Sequence, residues 1–558
     1  MTTPPPAKPA YKAELPWAGP VLGHYDDSDA ILISGAVDPA RGKASLVLFV
    51  PVTRNGDGKR FERAPGSEPA FKSRNVQSDG NGWFTVDAER SWWRETVNGK
   101  QAEGLLVVLL YETSPNSRAA TPTEKEFETD RIHQALDTLL EEPAQELELG
   151  LIEIDGEAHV ASAKAGSPPK QFCFALTSCQ YPVGMLDATV AFGSYRRLAK
   201  QLKANSGDAR PQFLLLLGDQ VYVDATAGMF DPSEQHDRFV APYRNLLNQP
   251  AVKDVLRRLP AYMMLDDHEI EDGWEPLAAD RHDDHNLTAG RDCYLRFQRA
   301  GGPPRQRPEG DSPEPLWYEF ERSEFPFFIA DTRTERQRRT AATIKNAGIM
   351  SDTQFTKLLC WLSKQRDDVP KFIASPAIFL PRRRSTAQHE HVASALRSDA
   401  WDGYPKSFHG LLAYLAEQQI KNVVFLSGDE HLSCVAQATI TAAGKPPVSI
   451  LSIHSSGLYA PFPFANSVPE IFPEEETFPF ALTGEELSAS RERLPDQALK
   501  RDGLRKFECR VEIRDFRAGD GFAILDVFRD NGEWTLRCHF NRANGGTGVR
   551  AYSLSPVP

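Results

Sequence analysis

The stretch FLLLLGDQVYVDA (213–225) decides how this chain is read. Five apolar residues run into Gly218-Asp219, and Tyr222 follows three positions after the acid. A continuous apolar run bounded by glycine fits a strand covered on both faces. Nothing in such a strand requires a carboxylate at its end with a phenol close behind. In an open α/β sheet, however, ligands bind beyond the carboxyl ends of the strands.

Outward from there, the pattern repeats. FCFALTSC (172–179), AYMMLDD (261–267), FPFFIAD (325–331), KFIASP (371–376) and NVVFLSGD (422–429) are further apolar runs. Amphipathic helix candidates lie between most of them, at 188–204, 352–366 and 407–419. Strands alternating with helices predict an α/β domain with sheets covered on both faces. Five of the six runs end on polar groups. These are Ser178-Cys179-Gln180, Asp219 with Tyr222, Asp266-Asp267-His268-Glu269, Asp331-Thr332-Arg333 and Gly428-Asp429-Glu430-His431. The prediction is one crevice holding a thiol, several carboxylates, a phenol and two imidazoles.

Each group has a plain reading alone: a buried thiol, a turn cap, a solvated acidic loop, a local Asp–Arg pair. Together they share a difficulty. Carboxylates gathered at the rim of a buried sheet repel each other and lose hydration, and an unpartnered buried charge is costly. The motifs supply few basic residues, so metal ions are the expected counter-charge. Thiolate, phenolate and carboxylates suit a highly charged transition metal. Oxygen-only ligands beside them suit a hard cation such as calcium or magnesium.

Before residue 170 the character is β. AILISGAV (30–37), ASLVLFVPV (44–52), GWFTVDA (82–88) and EGLLVVLLYET (103–113) read as strands, interrupted by one helix candidate at 121–142 that opens with a capping-box pair, Thr121 and Glu124. Residues 1–28 read as a proline-rich tail, 29–165 as a β-sandwich-like domain and 166–558 as the α/β domain with C-terminal strands. A linker is expected at 161–170. Exposed loops are expected at 301–315 and over much of 461–500, with a helical piece near 484–494.

Composition narrows the function classes. The formal charge is −13, with acids outnumbering bases 77 to 64, which argues against a nucleic-acid surface. No apolar stretch is long enough to span a membrane. The terminus MTTPPPAKPAYKAELPW has neither a secretory h-region nor a twin-arginine pair, so a cytoplasmic location is expected, with export left open if a leader has been trimmed. Seven cysteines without a C-x-x-C pair predict reduced thiols.

In order, FALTSCQ, LLLGDQVYVDA, YMMLDDHEIEDGW, FFIADTRTERQ, SDAWDGYP (398–405) and VVFLSGDEH resemble the motif series of the PhoD (alkaline phosphatase D) family of calcineurin-like metallophosphoesterases. The resemblance implies a four-layer α/β/β/α metallophosphatase domain preceded by a β-sandwich. It implies a dinuclear centre of the Fe3+ and Ca2+ type, with room for other divalent metals. Cys179, Asp219, Tyr222, Asp267, Asp429 and His431 are then metal ligands, Asp219 bridging two ions. His268 stands nearest the scissile phosphate and Arg333 beside it or behind it, the two catalytic candidates. Asp266, Glu269 and Asp331 are read as support behind these ligands.

The implied activity is hydrolysis of a phosphate ester by a metal-activated hydroxide. His268 donates a proton to the leaving oxygen, and Glu269 or Asp272 fixes its ring. One alternative is a phosphodiesterase or phospholipase-D-like activity on diesters. Another, from a different class, is a binding protein with a silent metal site, against which the intact ligand set argues. Arg382, Arg383 and Arg384 are read as substrate-side candidates at the crevice mouth, beside the plainer reading of a solvated basic turn. His454 is read as part of a substrate wall, beside plain packing. The acidic loop DRHDDHN (280–286) departs from the family series and reads as solvated.

Overall fold

The computed structural model describes residues 11–25, 30–38, 44, 46–65, 71–76, 82–89, 91–92, 102–112, 122–153, 171–182, 188–204, 210–225, 235–276, 284–305, 313–387, 392–461, 469–483, 503–543 and 548–554. The linker expected at 161–170 and the helical piece at 484–494 lie outside these residues.

The amino-terminal part is built on two antiparallel sheets. One contains β1 (Tyr11–Glu14), β4 (Leu46–Arg54), β5 (Phe61–Arg63), β6 (Lys72–Asn75), β8 (Gly104–Glu112) and β9 (Leu151–Ile152). The other contains β2 (Ala18–Tyr25), β3 (Ala30–Ala36) and β7 (Trp83–Glu89). Leu22, Ile31, Ile33 and Phe84 of the second meet Val47, Phe49, Leu105 and Val107 of the first in one buried cluster. Alternate residues of β4 and β8, Leu48, Val50, Leu106 and Val108, face the opposite way onto Ile132 and Leu136 of helix α1 (Pro122–Leu140). Both faces of these strands are covered, which is why they read as unbroken apolar runs. Residues 11–25, assigned to a tail by composition, instead form β1 and β2. β1 pairs with β8 and β2 with β3, a pairing that local composition does not encode.

The remainder carries two larger sheets. In the first the order is β12 (Ala261–Met264), β11 (Leu214–Leu217), β10 (Gln171–Thr177), β21 (Gly521–Asp530), β22 (Glu533–Arg542), β23 (Gly548–Ser553). β10, β11 and β12 are parallel, with Ala175 opposite Leu214 and Leu214 opposite Ala261. The second runs β13 (Tyr318–Arg322), β14 (Phe325–Ile329), β15 (Lys371–Ser375), β16 (Val423–Ser427), β18 (Val448–Ser455), β17 (Ser433–Ala442), β20 (Arg505–Arg517), β19 (Glu475–Leu482). Its parallel centre is β14, β15, β16 and β18.

The two sheets share a core rich in phenylalanine. Phe174 stacks on Phe213 with centroids 5.1 Å apart, and Phe327 on Phe372 at 4.7 Å. Each such ring contributes about 1.5–3 kcal/mol by leaving water. Outside the first sheet lie α2 (Gly193–Ala204), α3 (Gln235–Leu247), α4 (Pro250–Leu256) and α5 (His285–Phe297), which bury Leu198, Tyr243, Val252 and Phe297 against it. Outside the second lie α6 (Asp352–Lys364) and α7 (Pro405–Gln418), which bury Leu358 and Leu411.

The structure corrects the loop assigned to much of 461–500. β19 lies inside it as an edge strand, where Pro479 is tolerated because no further ladder needs its missing N–H. Among the described residues, no helix is long and apolar enough to cross a membrane.

Candidate metal centre

Three strand ends reach the centre through the same backbone device. Cys179, Asp219 and Asp429 each lie two residues beyond the end of β10, β11 and β16, and each has a positive φ, of 53°, 55° and 75°. A non-glycine residue in that region carries a cost of about 1–2 kcal/mol, so three together mark a site the fold holds under strain. Close packing accompanies them. A Cβ on Gly218 would meet Asp266 Cβ at 2.6 Å, and one on Gly428 would meet Leu217 O and Ser178 Cβ at 2.7 Å. Glycine at these two positions lets the ends of β10, β11, β12 and β16 converge.

The ligand atoms of Asp219, Asp266, Asp267 and Asp429 lie within 4.8 Å of one another, and those of Asp219, Asp267 and His268 do likewise. Cys179, fully buried, has Asp219 Oδ2 at 3.2 Å and the Asp429 carbonyl at 3.3 Å from Sγ as the two acceptors within reach of its single S–H. The Ser456 hydroxyl donates to that sulfur at 3.0 Å. The Tyr222 hydroxyl is 3.3 Å from His431 Nε2, and its ring stacks on His268 at 4.0 Å. The expected set of thiol, phenol, acids and imidazoles is thus brought together from positions as far apart as Cys179 and His431.

Charge does not balance there. Arg333, wholly buried, donates from Nε to Asp266 Oδ1 and from Nη1 to Asp399 Oδ2, both at 2.7 Å, and reaches Asp267 at 3.5 Å. Arg336 also binds Asp399. Among the described residues no lysine or arginine forms an ion pair with Asp219 or Asp429. Burial, with the neighbouring acids, pushes Asp429 up to about 8. Burial pushes Asp266 to about 7, Arg333 opposing. Burial, Cys179 and Asp267 drive Asp219 well above the carboxylate range, and burial with Cys179 and Asp219 does the same to the Tyr222 phenol. The buried oxygen Asp266 Oδ2 has no hydrogen-bond partner, and Asp267 Oδ1 has only the 3.5 Å ion-pair contact with Arg333. Clustered acids, an idle oxygen, a thiol and a phenol fit bound cations.

His268 Nδ1 donates to Asp224 Oδ2 at 2.8 Å. Burial would lower its pKa, but that hydrogen bond and the charges of Asp267 and Asp224 raise it to about 10. Asp224 is therefore the partner that fixes the ring. Asp272 is 4.0 Å away on the other nitrogen. Glu269, expected as a ring partner, has another task. Its carboxylate accepts from the backbone N–H of Asp219 (3.0 Å), Gln220 (2.8 Å) and Asp266 (2.9 Å) and from Gln298 Nε2 (3.0 Å), tying β11 to β12.

Other expected residues are placed elsewhere. Asp331 accepts from the N–H of Arg333 and Thr334 and caps the turn after β14. Arg382 lies 3.8 Å over the Phe478 ring and pairs with Glu476, Arg383 pairs with Glu430, and Arg384 reaches the Glu470 carbonyl at 2.8 Å. The three therefore point to three places and form no common basic patch. His454 is fully buried and lies 2.7 Å from the Glu430 carbonyl, and burial lowers its pKa to about 3. It packs under the site and forms no substrate wall. Of the acidic loop, 284–286 are described; Asp284 caps α5 through the N–H of Leu287.

A family model for PhoD-like phosphatases matches residues 174–461, more than half of the chain. The chain belongs to the PhoD-like phosphatase family. No curated protein matches it. A solved structure of PhoD shares 13% identity with it at a TM-score of 0.52, covering 100% of this chain and 94% of that one, a likeness of fold. For a PhoD-like phosphatase the new positions are Asp224 and Asp399. Both lie within stretches whose pattern the sequence displays, FLLLLGDQVYVDA and SDAWDGYP, yet their partners His268 and Arg333 lie 44 and 66 positions away.

Proposed function

We propose that this chain is a metal-dependent phosphoesterase that hydrolyses phosphate monoesters at a dinuclear centre. In this reading Cys179, Asp219, Tyr222, Asp267, Asp429 and His431 are the ligands, in a four-layer α/β/β/α domain spanning 166–558 behind a β-sandwich that begins with β1. The observation that carries it is the convergence of four carboxylates within 4.8 Å with cationic compensation for only part of them. Bound cations, iron and calcium by the character of the donors, would supply Lewis-acid charge stabilisation and make a water acidic enough to react near neutral pH.

The chain's own residues do the rest. Asp219 sits between the Cys179 side and the Asp267 side and holds the centre together. His268, held through Nδ1 by Asp224, keeps Nε2–H out of that hydrogen bond and donates its proton to the leaving oxygen, a role imidazolium suits. Arg333 reaches the reaction through Asp266, Asp267 and Asp399, fixing their carboxylates; with no exposed surface it serves as a positioning residue. The diester reading uses the same residues.

The test is metal analysis with hydrolysis of p-nitrophenyl phosphate and bis-p-nitrophenyl phosphate, with and without added iron and calcium. Turnover of the monoester well above the diester supports the reading, and the reverse ratio favours the diester. Asp219→Asn is expected to lose both metal and turnover. Full activity in that variant would refute the bridging role.

A further inference from the structure

Two serines from distant parts of the chain flank the Cys179 sulfur. Ser178 comes just beyond β10, and its hydroxyl lies 3.2 Å from the sulfur. Ser456 comes just beyond β18, and its hydroxyl lies 3.0 Å from the same atom. Both serines and Cys179 are fully buried, at 0% exposure. A thiol buried for packing alone behaves as a small hydrophobe and needs no polar neighbour.

Main-chain bonds fix the arrangement. The segment after β18 runs beside the turn that presents Cys179. Leu458 N–H donates to the Ser178 carbonyl at 2.9 Å, Tyr459 N–H to the Cys179 carbonyl at 3.3 Å, and Tyr181 N–H to the Tyr459 carbonyl at 3.0 Å. Ser456 donates its own N–H to the Leu432 carbonyl at 3.0 Å, and its carbonyl accepts from Nη1 of the buried Arg542 at 3.3 Å. The two hydroxyls are therefore carried on backbone whose place beside Cys179 does not depend on them.

The direction of donation follows from charge. A cysteine binds a metal as thiolate, without its S–H. The sulfur can then only accept, so the hydroxyl of Ser178 donates to it. Among the described residues the sulfur is the only hydrogen-bond partner of that hydroxyl. The Ser456 proton has a second acceptor in reach, the Asp429 carbonyl at 3.3 Å, but the charged sulfur is both nearer and the stronger acceptor. Two donated hydrogens thus occupy two sides of the sulfur and draw electron density from it.

We propose that Ser178 and Ser456 are positioning residues of the metal centre: their hydroxyls donate to the Cys179 thiolate, hold its sulfur in one orientation and weaken its electron donation to the bound ion. The inference rests on the reading of Cys179 as a ligand and adds the two groups that tune it. Removing either donor leaves the sulfur richer in electrons, so less energy is needed to move an electron from it to the metal.

The test loads cobalt(II) into the chelated protein, because its thiolate charge-transfer band in the near ultraviolet reports the sulfur directly. The band is expected in the parent and is expected to vanish in Cys179→Ser. Ser178→Ala and Ser456→Ala are each expected to move it to longer wavelength by about 5–10 nm, the scale of one hydrogen bond to a charged group set against a near-ultraviolet photon, and the double variant further. Hydroxyls that only pack would change the melting temperature and leave the band in place. The parent alone gives a second reading. In resonance Raman spectra its cobalt–sulfur stretch is expected to shift between H2O and D2O, as the hydrogens on the sulfur exchange. An unmoved band in both variants, or a stretch unmoved by deuterium, overturns the proposal while Cys179 stays a ligand. A parent that shows no band overturns the ligand reading itself, and the proposal with it.

Discussion

Gly428→Ala tests the claim that the centre depends on close approach of strand ends. The backbone at 428 lies outside the left-handed region, so alanine brings no conformational strain and the change is purely steric. Its Cβ would meet Leu217 O, Ser178 Cβ and Ser178 Oγ, all at 2.7 Å, where ordinary contact begins at 3.4 Å. The shortfall is about 0.7 Å, and two of the three obstacles are a main-chain oxygen and a Cβ, which no rotamer change can move. Overpacking of this kind costs about 1–3 kcal/mol. The strands must part between residues that carry Cys179, Asp219 and Asp429, and a site tolerates only about 0.5 Å of displacement. The expected result is a lower melting temperature together with at least about a tenfold loss of metal affinity. Thermal melts and metal titration of the purified variant measure both. Gly56→Ala, where a Cβ meets nothing within 4 Å, is the control and should stay within about 0.5 kcal/mol of the parent. Parental melting and parental metal affinity in Gly428→Ala would refute the reasoning.

Three further outcomes follow from the same geometry. Asp219, Asp266 and Asp429 have folded-state pKa values raised above their unfolded ones, to about 7 for Asp266 and about 8 for Asp429. The native state thus binds more protons, so the metal-stripped protein loses stability as pH rises from about 5 to 8, while metal retention, which needs the carboxylates ionised, rises over that range; melting curves of chelated protein that climb with pH would contradict this. Asp224→Asn removes the hydrogen bond that supports the His268 imidazolium, so the alkaline limb of the kcat profile should move to lower pH; an unmoved limb removes Asp224 from the mechanism. Arg333→Met leaves Asp266 without its ion-pair partner and Asp399 with Arg336 alone, and should cost about 3–5 kcal/mol, with Arg333→Lys restoring only part because one ammonium cannot fork to both carboxylates; a variant that melts like the parent yet loses kcat/KM would instead place Arg333 on substrate.

Local sequence determined the parallel strands. FCFALTSC, FLLLLGD and NVVFLSGD are unbroken apolar runs because sheet and helix cover both their faces, and their polar ends are where the strands stop and the buried centre begins. The chemical types gathered at the centre were therefore legible, and so was their excess of acids over bases. β19 was not, since its alternating exposure and Pro479 resemble a loop until an edge position makes them acceptable. Nor does sequence show which carboxylate serves which partner. Asp224 and Glu269 both lie near His268 in the fold, but only Asp224 reaches its ring, while Glu269 is consumed by main-chain N–H groups. The run Arg382, Arg383, Arg384 looks like one basic cluster in the chain and becomes three separate contacts in space. Burial periodicity is a property of neighbouring residues and survives in the sequence. Pairing is a property of atoms brought together across tens to hundreds of positions, and only the tertiary structure decides it.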